Sequence, residues 1–199
     1  MIKPLTKKIL ILTIVFLIVV ILTKVQFTDS LDRDLTLSIY NFLNNDLAIK
    51  FFSFITNCIL PIAIVLILVP LLLKKKFKIV VYFAISYLIV LLVSEGTKFI
   101  VNRSRPFKIA LIDYLGGTDP TGLSFPSGHT MFAFFLAHFV CKEFKLTKTQ
   151  TILVYFLASL VAFSRIYLGA HYVLDVIGGA ILGTIVAIVL EETGKLILM

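Results

Sequence analysis

An all-α fold is what this sequence predicts: one integral membrane bundle of six transmembrane helices with an amphipathic helix on its surface. Three observations carry the prediction. Of its 199 residues, 59% are hydrophobic, and the mean hydropathy is +1.05, too apolar for an ordinary soluble domain. The apolar residues come in runs close to the roughly 20 needed for a helix to cross a bilayer. The runs show no strand alternation, and in lipid the backbone polar groups must be satisfied inside the segment, so they should be helices. The net charge of +8 would raise nucleic acid as a partner of a soluble chain. Here the lysines sit at the ends of apolar runs, so the expected partner is the bilayer, through orientation signals and headgroup contacts, and not nucleic acid.

The expected spans are residues 9–25, 51–73, 79–101, 128–144, 151–167 and 172–190. Lys3, Lys7 and Lys8 precede the first. No small-x-small cleavage site follows it, so it reads as a retained helix and not a signal peptide. Next, "LDRDLTLSIYNFLNNDL" puts Leu31, Leu35, Ile39, Phe42, Leu43 and Leu47 at helical spacing. That pattern fits an amphipathic helix on the membrane surface, and equally an ordinary connecting helix. The loop 102–127 is punctuated by Gly and Pro and is too polar to lie in lipid. The fourth span is short and Phe-rich, and the stems of Lys142 and Lys145 complete it. With no repeats and no second composition, residues 1–199 form one domain. Cys58 and Cys141 have no metal-ligand spacing and fall toward opposite faces, which argues against a disulfide.

Three polar clusters interrupt the apolar runs. In "KFIVNRSRP", Lys98 and Arg105 are seven apart and share a helix face until Pro106 ends the helix. In "FPSGHT", Ser127 is a candidate N-cap, and Gly128 permits close backbone approach at a helix N-terminus, where free N–H groups favour an anion. In "SRIYLGAHYVLD", Arg165 ends one span, and His171 and Asp175 share a face at the start of the next. Charged groups beside a bilayer core are costly and therefore functional candidates. Three cations, two histidines and a helix N-terminus assignable to one face suit a phosphate site. Of the remaining polar residues, Glu95 could pair with Lys98 or face a water-filled cleft. His138 reads as a packed or hydrogen-bonded residue, Gly179 and Gly183 as a close-packing pair, and Arg103 and Lys108 as solvated or headgroup-facing.

These residues resemble the type 2 phosphatidic acid phosphatases, the membrane lipid phosphate phosphatases that include bacterial phosphatidylglycerophosphatase B-like enzymes. The pattern Lys, six residues, Arg-Pro falls on Lys98, Arg105 and Pro106. Pro-Ser-Gly-His falls on Pro126, Ser127, Gly128 and His129. Ser-Arg, five residues, His, three residues, Asp falls on Ser164, Arg165, His171 and Asp175. The resemblance covers Lys98 to Asp175 and implies a phosphohistidine mechanism. His171 would be the nucleophile, oriented by Asp175, and His129 would protonate the leaving oxygen and then activate water. Lys98, Arg105, Ser127, Gly128 and Arg165 would bind the phosphoryl group. It implies no metal and no cofactor, and a lipid phosphate as substrate: phosphatidylglycerol phosphate, phosphatidic acid or an undecaprenyl pyrophosphate-type carrier. A non-catalytic protein that binds or transports phosphate lipids is the competing expectation, and a vanadate-dependent peroxidase a more distant one. With lysines marking the cytoplasmic side, six crossings put the clusters on the extracytoplasmic face of the cell membrane.

Overall fold

Where the sequence runs apolar, the chain is helical, and where Gly, Pro and charge accumulate, it turns. The structure, a computed structural model, describes residues 4–42, 45–109, 111–117 and 120–198. Seven α-helices lie within them: α1 (Pro4–Leu22), α2 (Gln26–Asn41), α3 (Asp46–Leu73), α4 (Phe77–Val101), α5 (Gly128–Glu143), α6 (Lys148–Tyr167) and α7 (Val173–Leu198). Their ends follow local chemistry. Asn45 caps α3 by accepting from the Ala48 amide at 2.9 Å. Thr147 and Gln150 form a reciprocal capping box at the start of α6. Asn102 closes α4 in the left-handed conformation.

Helices α1, α3, α4, α6 and α7 are long and apolar enough to cross a membrane. Helix α5, at 16 residues, is shorter than that, although its limits match the predicted fourth span. It is also the most enclosed: Met131, Phe132, Ala133, Phe135, Leu136 and Ala137 are all buried. Its closest partner is α7, with α6 and α4 alongside. Glycine permits that pairing. A Cβ at Gly179 would fall 2.6 Å from the Ser127 carbonyl oxygen, and one at Gly183 2.2 Å from that of Met131. The predicted role of this glycine pair in close packing is what the helices use. Cys58 and Cys141 are both free thiols.

Helix α2 differs from the sequence expectation. It begins at Gln26 and stops at Asn41, so Leu47 belongs to α3; Leu43 lies outside the described residues. Several of its large apolar residues face outward, with Phe27 71%, Leu31 45% and Leu35 53% exposed. Asp32 and Thr36 point into the protein and are buried. A helix that turns Asp32 and Thr36 inward and shows a row of apolar side chains outward suits a bilayer surface.

The charges sort to the two ends of the bundle. One end gathers α2, the loop 102–127, the start of α5 and the α6–α7 turn. At the other, Lys76 meets Glu143 at 3.8 Å and Lys142 meets Glu191 at 3.4 Å. His138 binds Glu191 at 2.9 Å, the hydrogen-bonded role its sequence position suggested.

Candidate active site

The site is assembled from four segments that hold one another's backbones. In the α6–α7 turn, Gly169 adopts a positive φ of 78°, and a Cβ there would collide with the Asp113 carbonyl oxygen at 2.5 Å. The turn is tied down by amides of Ala170 and His171 donating to the Arg165 carbonyl at 3.0 and 3.2 Å. The long loop is tied to α4's end by Ser124 N–H donating to Arg103 O at 2.7 Å, and α5's start to α7 by Ser127 N–H donating to Asp175 O at 3.0 Å. That amide is thereby committed to structure. The Ser127 hydroxyl, fully buried, accepts from Thr130 Oγ1 at 3.0 Å.

His171 lies at the centre, only 2% exposed. Its Nδ1 faces Asp175 Oδ2 at 3.5 Å and Ser124 Oγ at 3.4 Å. Its Nε2 faces Arg105 Nη1 at 3.1 Å. A guanidinium can only donate, so Nε2 is the acceptor and the imidazole proton belongs on Nδ1. Burial pushes the His171 pKa down to about 4; Asp175 resists, and the cations Arg105 and Arg165 add to the depression. The ring is therefore neutral at physiological pH, with its lone pair on Nε2.

Asp175 is fully buried and held on both oxygens. Oδ2 accepts from the Ser124 hydroxyl and from the Tyr172 amide at 3.0 Å, and Oδ1 accepts from Arg103 Nη1 at 2.8 Å. Arg105 is held by the carbonyls of Ala170 (3.1 Å), Thr121 (3.0 Å) and Gly122 (3.3 Å). Burial and neighbouring Arg165 lower its pKa, yet an arginine remains charged.

A cleft of about 570 Å³ opens in front of this cluster. Lys98, Arg105, Gly128, His129 and His171 line its charged part, and Leu60, Pro61, Ile64, Tyr87, Leu91 and Phe132 its apolar part. Lys98 Nζ is paired with Glu95 at 2.6 Å, and both residues line the cleft, so the two alternatives the sequence left open for Glu95 coexist. Arg165 is 2% exposed. It donates to Thr56 Oγ1 of α3 at 2.7 Å, while its Nε has no partner among the described residues. Ser94 Oγ, one turn before Lys98, is likewise buried without a partner there.

All eight sequence-predicted site residues thus fall at one end of the bundle. Sequence reasoning missed Ser124, Ser94, Thr56 and above all Arg103. Far from being solvated, Arg103 is 8% exposed and bound to Asp29, Asp32 and Asp175. An arginine just past an apolar run reads as a headgroup contact, and the carboxylates that draw it inward lie 71 to 74 positions away. Lys108, by contrast, is exposed, with its ammonium on the Gly122 carbonyl at 3.1 Å.

A family model described as the PAP2 superfamily matches residues 78–193, a segment containing all three motif clusters. An undecaprenyl-diphosphatase of Sulfolobus acidocaldarius is 34% identical over 126 residues, 62% of this chain and 60% of that protein. A phosphatidylglycerophosphatase B of Bacillus subtilis is 35% identical over 91 residues, 42% of each. The chain therefore spans less than two thirds of the length of these relatives. Among solved structures, a transmembrane PAP2-type phosphatidylglycerolphosphate phosphatase from Bacillus subtilis superposes with a TM-score of 0.76 at 24% identity, covering 96% of this chain and 97% of that one. That likeness is one of fold. Aquifex aeolicus LpxE superposes with a TM-score of 0.65 at 27% identity, covering 80% and 93%.

Proposed function

The chain belongs to the PAP2 superfamily, and from that premise we propose that it is an integral membrane phosphatase acting on lipid phosphates through a phosphohistidine intermediate. The observation that carries the proposal is the opposed pair on His171: Arg105 on Nε2 and Asp175 with Ser124 on Nδ1. A merely phosphate-binding protein needs the cations. It has no use for a neutral imidazole whose free lone pair faces them.

In the first step the Nε2 lone pair attacks phosphorus, forming an N–P bond as the P–O bond to the lipid breaks. Arg105 moves from nitrogen to a phosphoryl oxygen. Asp175 stabilises the positive charge that develops on the ring while keeping Nδ1–H oriented. His129, which lines the cleft, gives its proton to the departing oxygen. In the second step it removes a proton from water, the water oxygen attacks phosphorus, the N–P bond breaks, and phosphate leaves. Lys98, Arg105, Arg165 and the free amides at the start of α5 face the three phosphoryl oxygens, where transition-state charge spreads. These cations supply the charge neutralisation that a divalent metal supplies elsewhere.

Substrates are undecaprenyl pyrophosphate or phosphatidylglycerol phosphate, in line with the names of the relatives, or phosphatidic acid. Purified protein should release phosphate from at least one of them, in the presence of EDTA, and vanadate should inhibit as a mimic of the five-coordinate transition state. His129→Ala should spare hydrolysis of an activated aryl phosphate more than that of the lipid. Undiminished release by His171→Ala would sink the mechanism.

Six crossings, with α5 as the fourth, put this end of the bundle outside the cell membrane. At roughly 1.5 Å per residue the 16 residues of α5 reach about 24 Å, against a hydrocarbon core of about 30 Å. The stems of Lys142 and Lys145 make up the difference. Lys74–Lys78 and Lys142–Lys148 then lie inside, as positive residues should; Lys3, of the same sign, lies outside the described residues. In a background lacking Cys58 and Cys141, Lys108→Cys should react with an impermeant thiol reagent in intact cells, and Lys76→Cys should not. The reverse pattern places the chemistry in the cytoplasm.

A further inference from the structure

The mechanism above leaves one cluster of buried charge unused, directly behind Asp175. Arg103 occupies it. Its Nη1 donates to Asp175 Oδ1 at 2.8 Å, and its Nη2 to Asp29 Oδ1 at 2.9 Å and Asp32 Oδ2 at 2.8 Å. Its guanidinium carbon lies 4.0 Å from the centre of the Tyr172 ring. Asp32 is itself fixed, because its second oxygen accepts from the Leu174 amide at 3.0 Å. Thr36, one turn along α2, accepts from the Val173 amide at 3.4 Å. Helix α2 therefore caps the first turn of α7, the turn that carries Asp175, and presents two carboxylates to an arginine that grips a third. These anchors lie outside the segment the family model matches.

Such a network is an expensive way to achieve stability alone, since apolar packing of the same volume does as well or better. Its geometry serves orientation. By occupying Oδ1, Arg103 leaves Oδ2 as the oxygen turned to His171. By neutralising the carboxylate, it removes the incentive for His171 to take up a proton. Arg103 spends both terminal nitrogens on Asp175, Asp29 and Asp32, so it acts on the site through these carboxylates.

We propose that Arg103 is a positioning residue: its bridge from Asp29 and Asp32 of α2 to Asp175 sets the carboxylate against Nδ1 of His171 and keeps Nε2 unprotonated. The inference rests on His171 being the nucleophile. The groups facing His171 are Arg105 and Ser124 from the loop, Asp175 from α7, Arg165 from α6 and His129 from α5. Arg103 acts on it through Asp175.

The test uses the full chain, purified in detergent, with two readouts: kcat and KM on a lipid phosphate the wild type hydrolyses, and the ¹⁵N imidazole signals of His171 against pH, assigned with His171→Asn. Arg103→Gln should lower kcat by about 10², the cost of a small misplacement at a reacting centre, with KM unchanged. It should also raise the pH at which His171 protonates by about one unit, the effect expected of losing a nearby opposite charge to Asp175. Arg103→Lys should recover the titration but only part of kcat. Asp32→Asn should give a smaller loss of kcat and add little to Arg103→Gln, because the two act as one unit. If Arg103→Gln does not fold, Asp32→Asn carries both readouts. An unchanged kcat with an unchanged His171 titration overturns the proposal, and so does a raised KM at constant kcat, which would make Arg103 a substrate ligand. If the wild type hydrolyses no lipid phosphate, the proposed function fails separately, and the imidazole titration alone decides the role of Arg103.

Discussion

The two ends of the bundle both concentrate charge, yet they treat it in opposite ways. At the site end, Arg103, Arg105, Arg165, His171, Asp32 and Asp175 are all at most 8% exposed, and most are held by two or more partners. At the other end, the side chains of Lys76 and Lys142 are 49% and 56% exposed and meet their glutamates at 3.8 and 3.4 Å. Buried charges must be fully compensated or they destabilise the fold, so each group at the site end constrains its neighbours. Exposed pairs are screened and loosely held, and contribute roughly 0–1 kcal/mol each. One end is built to fix atoms; the other leaves its lysines largely exposed.

The contrast predicts a gradient of effects. The largest belong to the site end. His171→Ala should abolish turnover and any covalent phosphoenzyme, and Asp175→Asn should cost on the order of 10⁴ in kcat, as loss of an orienting carboxylate does in serine proteases. Steady-state kinetics with acid-quench trapping of the phosphoenzyme checks both. Next comes pH. With the His171 pKa of the free protein held down near 4, the His171-dependent fall in kcat/KM should come toward pH 4 and not near the ordinary histidine value of about 6.5. Stability follows the same sign: between about 6.5 and 4 the unfolded chain binds a proton that folded His171 refuses, so unfolding should become easier as pH falls through that window. Thermal unfolding at pH 7 and pH 5 measures it.

A smaller effect is expected midway along the bundle. Gly183→Ala puts a methyl group where the Met131 carbonyl already stands, and should lower stability by about 1–3 kcal/mol, the range for overpacking, read from the melting temperature. The smallest belongs to the lysine end. Lys142→Ala should change stability by less than about 1 kcal/mol and leave kcat and its pH profile unaltered. A large loss of activity there would erase the distinction between the ends.

Much of this could be read from the chain because lipid imposes simple rules. Long apolar runs become helices, and the predicted spans 79–101 and 128–144 match α4 and α5 to within two residues. The three motif clusters could be assigned to one end by counting crossings. What could not be read depends on contacts between distant segments. The apolar periodicity of 31–47 located a surface helix but carried it too far, because Leu47 repeats in register although Asn45 starts a new helix. Arg103 followed the ordinary pattern of a helix-end cation, and nothing local marks Asp29 and Asp32 as its partners. The Ser127 amide looked available to an anion until α7 was seen to accept it.

The mixed lining of the cleft has a kinetic consequence. On the proposed function, a lipid phosphate would set its headgroup in the charged part, while Leu60, Pro61, Ile64 and Leu91 lie on helices long and apolar enough to cross a membrane, so the lipid would keep its tail among other tails. Substrate would then arrive by lateral diffusion in two dimensions and not from bulk water. The rate would follow the mole fraction of lipid phosphate in the surface, and adding inert detergent or neutral lipid at fixed total substrate would slow the enzyme by dilution alone.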